Sequence, residues 1–165
     1  MRSLNTGVGL IEALVAMLVL SVGVLGVAPV FVHSLRGSRS AMLRTQAVNL
    51  ASDMGDRIRA NPGGGADYDL ASYGAVGPAE HGCAPSAAGG VGNNCNGAQL
   101  AEDDLARWQS AVKTALPAAP AGTSAASVQY FVGEPNHYRI SVAWQEPGEP
   151  LPFSYQTEIF VQRAP

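Results

Sequence analysis

Residues 8–32 form an apolar run, VGLIEALVAMLVLSVGVLGVAPVFV, that only Ser21 and the carboxylate of Glu12 interrupt. At about 1.5 Å per residue, a helix of this length crosses the roughly 30 Å hydrocarbon core of a bilayer with some tilt. A short polar segment, residues 1–7, precedes the run and carries Arg2. The sequence therefore predicts one membrane-spanning helix close to the amino terminus.

Glu12 is costly in such a helix, because a carboxylate at the bilayer centre is unfavourable by about 2.5–3.5 kcal/mol and by less near the interface. Either it reaches the headgroups or its charge has a positive partner. No Lys or Arg lies within a turn or two of it, so a free amino group exposed by cleavage just ahead of it would serve. The alternative is a secretory signal cut after Ala28. It would place Pro29 directly after the cut, where Pro prevents processing, and Glu12 would interrupt its apolar region.

The stretch Gly7-Val8-Gly9-Leu10-Ile11-Glu12 resembles the signal of type IV prepilins and type II secretion pseudopilins. The resemblance implies that a prepilin peptidase cuts after Gly7 and N-methylates Val8, where the family usually has Phe. It also implies that Glu12 pairs with the terminal amine of a neighbouring subunit during assembly. Pro29 matches a Pro found at this depth in many pilins and predicts a helix kink, although an ordinary membrane-helix kink explains it equally well.

Helical periodicity continues beyond the span through residues 33–60. One apolar stripe recurs every three or four positions, at Leu43, Ala47, Leu50, Met54 and Ile58. Asn61-Pro62-Gly63-Gly64-Gly65 then ends the helix. The pattern predicts a single long helix whose second, amphipathic half lies on a small globular domain, residues 61–165.

That domain begins with a Gly-, Ala- and Pro-rich stretch, residues 61–98, which predicts a loop. In an exported domain, Cys83 and Cys95 most simply form one disulfide, with two free thiols as the alternative and a metal site a remote one. A second helix is expected from Leu100, and the acids at 102–104 would complement its dipole in the first turn.

Period-two alternation then predicts three strands, at 128–132, 138–145 and 153–161. Short connections between them indicate an antiparallel meander. The expected fold class is α+β, a long N-terminal helix packed on a small antiparallel sheet. The segments LASDMGDRIRANP and YRISVAWQE resemble the helix end and a strand of PilV-type minor pilins.

Several function classes are disfavoured by composition. The net charge is −3, so a nucleic-acid partner is not expected. The histidines, His33, His81 and His137, have no nucleophile or acid at a motif spacing. We therefore expect neither an enzyme nor a cofactor or metal site.

The resemblance implies a minor pilin of a type IV pilus, held in the inner-membrane lipid with its domain in the periplasm before assembly. Its partners would be other minor and major pilins, prepilin peptidase, the inner-membrane assembly platform and a tip adhesin. Three arginines, Arg36, Arg39 and Arg44, follow the span, and a count of positive charges would instead place that side in the cytoplasm. A type II secretion minor pseudopilin and a filament-borne module that binds DNA or a surface remain alternatives.

Overall fold

The computed structural model describes residues 9–84, 91–134 and 136–162. The secondary-structure elements follow in the order helix α1, two short 3-10 helices, helix α2 and strands β1 to β3. The bounds are Leu10–Ala60 for α1, Gly65–Tyr68 and Leu70–Tyr73 for the 3-10 helices, Gly97–Ala115 for α2, and Ala126–Tyr130, His137–Trp144 and Phe153–Phe160 for the strands. The predicted α+β class, a long N-terminal helix with a three-stranded antiparallel sheet, is confirmed.

The chain divides into two compact units, Met1–Ala41 and Met42–Pro165, and α1 contributes to both. In the first unit, α1 starts where the backbone N–H groups of Glu12 and Ala13 donate to the Gly9 carbonyl, at 2.9 and 3.2 Å. The Ser21 hydroxyl donates a hydrogen bond to the Leu18 carbonyl at 2.8 Å. The helix continues through Pro29, and the kink expected there stays a prediction.

In the second unit, α1 buries one side against the sheet. The buried residues of the helix are Leu43, Ala47, Ala51, Met54, Gly55 and Ile58. A Cβ at Gly55 would lie 3.7 Å from methyl groups of both Ile140 and Ile159, so the backbone of α1 approaches the sheet closely at this point. Leu50 is only partly buried, and its carbonyl accepts the Trp108 indole N–H at 2.8 Å.

The sheet has the order β1-β2-β3, and both pairings are antiparallel. The predicted meander is therefore confirmed. Along β2, Tyr138, Ile140, Val142 and Trp144 are buried, while Arg139 and Ser141 between them are partly exposed. This alternation places the aromatic and β-branched side chains in the core, as the period-two pattern predicts.

Helix α2 begins at Gly97, three residues before the expected start. Asn96 and Gln99 form a capping box: the Asn96 side chain accepts the Gln99 N–H at 2.9 Å, and Gln99 accepts the Asn96 N–H at 3.1 Å. No acid lies in the first turn, so the prediction that the acids at 102–104 complement the dipole there is wrong. The stripe of Leu105, Trp108 and Val112 is buried as expected.

Candidate functional site

The apolar surface of α1 in the first unit is the feature that requires a partner. Every residue from 9 to 39 is exposed, including Leu10 at 89%, Ile11 at 72% and Leu25 at 72%. Within the described chain, α1 is the one helix long and apolar enough to cross a membrane, with a window of mean hydropathy 2.5 near the N-terminus. Exposure of this much apolar surface to water is unfavourable by about 25 cal/mol per Å², so lipid or protein must cover it.

Glu12 lies in the first turn of this helix and is exposed. A negative charge there is favourable, because the free N–H groups at a helix start carry partial positive charge. Its carboxylate makes no hydrogen bond or ion pair with any residue the structure describes. Gly7 and Val8 lie outside the described residues, so cleavage, N-methylation and the amine pair at Glu12 stay predictions.

Cys83 and Cys95 form a disulfide, as the sequence predicts, with 5.6 Å between their Cα atoms. The bridge ties the loop before residue 84 to the segment that leads into α2. Asn93 strengthens this connection by donating its side-chain amide to the His81 carbonyl at 2.7 Å. Its backbone N–H donates to the Gly82 carbonyl at 2.8 Å.

Asp103 of α2 anchors the same loop from the inside. Its side chain is 1% exposed, and Oδ1 accepts the backbone N–H groups of His81 and Gly82 at 2.7 and 2.8 Å. Arg107 Nε lies 2.9 Å from Oδ2, but no N–H points at that oxygen, so the pair is electrostatic. Arg107 also donates to the Ala84 carbonyl at 3.3 Å. The buried Asp103 carboxylate therefore binds both the loop at residues 81–82 and its counter-ion, Arg107.

Glu102 binds the loop from its outer side. His81 Nε2 lies 2.6 Å from Oε2, and the Ala79 N–H donates to Oε1 at 2.9 Å. The hydrogen bond with His81 and, to a smaller extent, the one from the Ala79 N–H lower the pKa of Glu102 below its ordinary value. Glu102 is therefore ionised at neutral pH and holds the residues that precede Cys83.

Asp104, the third acid, lies beside a buried tyrosine that sequence reasoning placed in a loop. Tyr68 is fully buried, and its hydroxyl donates to Asp104 Oδ2 at 2.9 Å. Asn61 donates to the same hydroxyl at 3.2 Å, and Arg57 pairs with Asp104 at 3.1 Å. Burial, together with the Asp104 charge, raises the pKa of Tyr68. The cluster joins the end of α1, the first 3-10 helix and α2.

A second tyrosine extends this packing to the sheet. Tyr138 meets Tyr68 edge to face, with ring centroids 6.4 Å apart, and its hydroxyl donates to the Gly65 carbonyl at 3.0 Å. Burial and, to a smaller extent, the nearby Tyr130 raise the pKa of Tyr138 to about 12. Tyr138 therefore belongs to the core and holds the first 3-10 helix against the sheet.

On the opposite face of the sheet, His137 is stacked between two phenyl rings. The centroids of Phe131 and Phe160 each lie 4.2 Å from that of His137. Its ring nitrogens lie 2.9 Å from Glu134 and 3.3 Å from Glu158. In the described parts of the chain, no group of three or more His, Cys, Asp and Glu residues is arranged to hold a metal ion.

Residues 31–106 match a family model described as Tt1218-like, type IV pilin Tt1218. No curated protein and no solved structure matches the chain. The matched segment includes the second half of α1, the 3-10 helices, the disulfide and the acids of α2, and it begins after Glu12. It is therefore separate from the Gly7–Glu12 signal, and this similarity supports a type IV pilin family for the chain.

Proposed function

We propose that the chain is a type IV pilin subunit of the minor class, made as a precursor and assembled through α1. The observation that carries the proposal is the exposed apolar helix with a single carboxylate, Glu12, in its first turn. The family similarity over residues 31–106 adds support from a segment that does not include this turn. The two lines of support are separate at Glu12, because the matched segment begins at residue 31.

Processing supplies the partner that Glu12 lacks. Cleavage after Gly7 makes Val8 the first residue and its amino group, methylated or not, a cation at the start of the helix. Glu12 is then the fifth residue of the mature chain. In a bilayer or a filament interior, either ion alone is strongly unfavourable, and a close pair offsets part of this cost. Because a misaligned subunit would leave both charges unpaired, the pair selects the axial register between neighbouring subunits.

The same apolar surface serves the two states of the subunit. Before assembly, hydrocarbon covers the apolar part of α1, from Leu10 to Val32; after assembly, the helices of other subunits cover it. Transfer between these surroundings exchanges one apolar environment for another, so van der Waals packing and the Glu12 pair decide which is preferred. Gly23 and Gly26 have no side chain and have open space around them. This permits the helix of a neighbouring subunit to approach α1 closely at these positions.

We place the second unit, Met42–Pro165, in the periplasm before assembly. The Cys83–Cys95 disulfide supports this side of the membrane, since disulfides persist in oxidising compartments. The minor role and the PilV type rest on the resemblance of residues 50–62 and 138–146 to those proteins. Other pilins, the assembly platform and a tip adhesin are the partners of such a subunit.

N-terminal mass analysis of the protein from piliated cells tests the proposal. We expect a chain that begins at Val8, with or without one added methyl group. Gly7→Val should remain uncut, because a β-branched side chain obstructs the cleavage site, whereas Gly7→Ala serves as the matched control and should be cut. A native protein that retains residues 1–7 would refute the proposal, and efficient cleavage of the Val variant would refute the assigned site.

A further inference from the structure

The two edges of the sheet differ in how their backbone groups are covered. Ala143 donates to Ala125 at 2.9 Å and Phe131 donates to His137 at 3.1 Å. Hydrogen-bonded pairs alternate along an antiparallel ladder, so the even-numbered residues of β1 direct their backbone groups away from β2. The 3-10 helices lie against this edge, and the carboxylate of Asp69 accepts the outward N–H of Tyr130 at 3.4 Å. The β1 edge is thus partly closed by the protein itself.

The β3 edge is open. Val161 donates to the Asn136 carbonyl at 2.9 Å, one step beyond the pair of His137 with Phe160. By the same alternation, the odd-numbered residues of β3 bond to β2, and the even-numbered residues direct N–H and C=O outward. These outward residues are Ser154, Gln156, Glu158 and Phe160. All of them are exposed, and their outward backbone groups have no partner among the residues the structure describes.

This edge lacks the features that usually protect a free strand. Phe153–Phe160 contains no Pro and no Lys, and its register with β2 is continuous, without a bulge. Its one charged side chain, Glu158, is held back over the sheet by Arg139 at 2.7 Å and by His137 at 3.3 Å. Among the described residues, nothing therefore pairs with the outward N–H and C=O groups of the four even-numbered residues of the strand.

We propose that the β3 edge binds an extended strand of a neighbouring filament subunit by β-strand addition. The inference rests on the proposed function, because filament subunits are the proteins that surround this unit after assembly. A free row of alternating backbone donors and acceptors is matched by another extended backbone. The incoming strand would face Tyr155 and Thr157 on the core side of the sheet, and Gln156 and Phe160 on the other. Glu158 favours a neutral or basic residue opposite it.

A pair of substitutions at Gln156 tests this inference in the full-length chain in piliated cells. Gln156→Pro removes the outward N–H while leaving every hydrogen bond to β2 in place, since Pro is tolerated where an edge-strand N–H faces away from the sheet. Gln156→Ala is the matched control, because it removes the side chain and retains the N–H. We expect the amount of the Pro variant in sheared filaments to fall about fivefold below that of the Ala variant, the factor that corresponds to the loss of one ordinary hydrogen bond.

The outcomes separate the two proposals. Incorporation of the Pro variant at the level of the Ala variant would refute strand addition and leave the pilin function standing. Absence of the wild-type chain and the Ala variant from filaments would refute the pilin function itself. Protease resistance and an intact Cys83–Cys95 bridge verify that the Pro variant is folded.

Amide hydrogen exchange of the wild-type chain gives a second measurement that needs no variant. We expect the amides of Ser154, Gln156, Glu158 and Phe160 to exchange fast in detergent and slowly in isolated filaments. The amides of Tyr155, Thr157 and Ile159 bond to β2 and should be protected in both states. Fast exchange of the outward amides in filaments would overturn the inference.

Discussion

Gly64 is a position in the second unit where one added methyl group should disturb the packing of buried side chains. Its backbone has φ −72° and ψ −33°, which any residue adopts, so a side chain there causes no backbone strain. A Cβ, however, would lie 2.6 Å from Tyr68 Cε2 and 2.9 Å from Asn61 Nδ2. Real Cβ atoms do not approach other heavy atoms this closely, so the tyrosine or the asparagine must move.

Neither neighbour can move freely. Tyr68 is fully buried, and its hydroxyl is held by Asp104 at 2.9 Å. Asn61 donates to the Gly97 carbonyl at 2.8 Å as well as to Tyr68. Overpacking of a core typically costs about 1–3 kcal/mol, and displacement of the hydroxyl from Asp104 adds to it. We therefore expect Gly64→Ala to lower the free energy of unfolding by about 2–3 kcal/mol.

Gly63→Ala is the matched control. The atoms nearest to its Cβ would be Asn61 Oδ1 at 3.6 Å and Gly97 Cα at 3.8 Å, both ordinary contacts. Because Ala has fewer unfolded conformations than Gly, this variant should be neutral or more stable by about 0.4–1 kcal/mol.

Urea unfolding in detergent, followed by tryptophan fluorescence, measures the difference. Trp108 and Trp144, the two tryptophans, are both buried in the second unit, at 0% and 2% exposure, so the signal reports this unit alone. Equal unfolding free energies for the variants at 63 and 64 would show that the packing around Tyr68 is loose, and would refute the reasoning.

Further predictions concern assembly and the loop anchored on α2. Glu12→Ala should leave processing intact but strongly reduce incorporation into sheared filaments; normal incorporation would contradict the charge pair. Asp103→Ala should lower the unfolding free energy by about 2 kcal/mol, below the 3–5 kcal/mol of a fully buried pair because Arg107 is 32% exposed; an unchanged urea midpoint would count against this anchor. Replacing Cys83 and Cys95 together by Ser removes a bridge with a sequence separation of 12 and should cost about 3 kcal/mol, measured in the same way; no loss would mean that the hydrogen bonds alone hold the loop. Because the folded-state pKa of Glu102 is lowered, its ionised form stabilises the fold above the ordinary carboxyl pKa, and this contribution is lost as the pH falls through the lowered value. The wild type should therefore lose more stability in acid than Glu102→Gln, and parallel pH profiles would contradict this.

Local periodicity was enough to predict the main elements. The spacing of Leu43, Ala47, Met54 and Ile58 indicated which side of α1 is buried, because residues three and four apart share one face of a helix. The alternation of Tyr138 to Trp144 indicated the core side of β2 for the same kind of reason, with period two. Each of these patterns repeats over a few residues. The buried face of a helix or strand can therefore be identified without knowing which element packs against it.

The acids of α2 could not be interpreted in this way. Their spacing is compatible with complementing the dipole, but Asp103 and Asp104 bind residues that lie 21 to 47 positions earlier in the chain. The apolar stripe also predicts a start for α2 that is three residues too late, because the Asn96–Gln99 capping box lies ahead of the stripe. The spacing of Asn96 and Gln99 is itself typical of a helix start.

Residue type at a local spacing is enough to predict the apolar N-terminal helix with its single carboxylate, the α+β class, the strand alternation and the cysteine pair. Three features become visible only in the folded chain: Tyr68 is buried beside Asp104, Asp103 anchors the disulfide loop, and β3 rather than β1 has an open edge. These features depend on which distant segments meet, and contacts across long stretches of chain leave no periodic signal in the residues that form them.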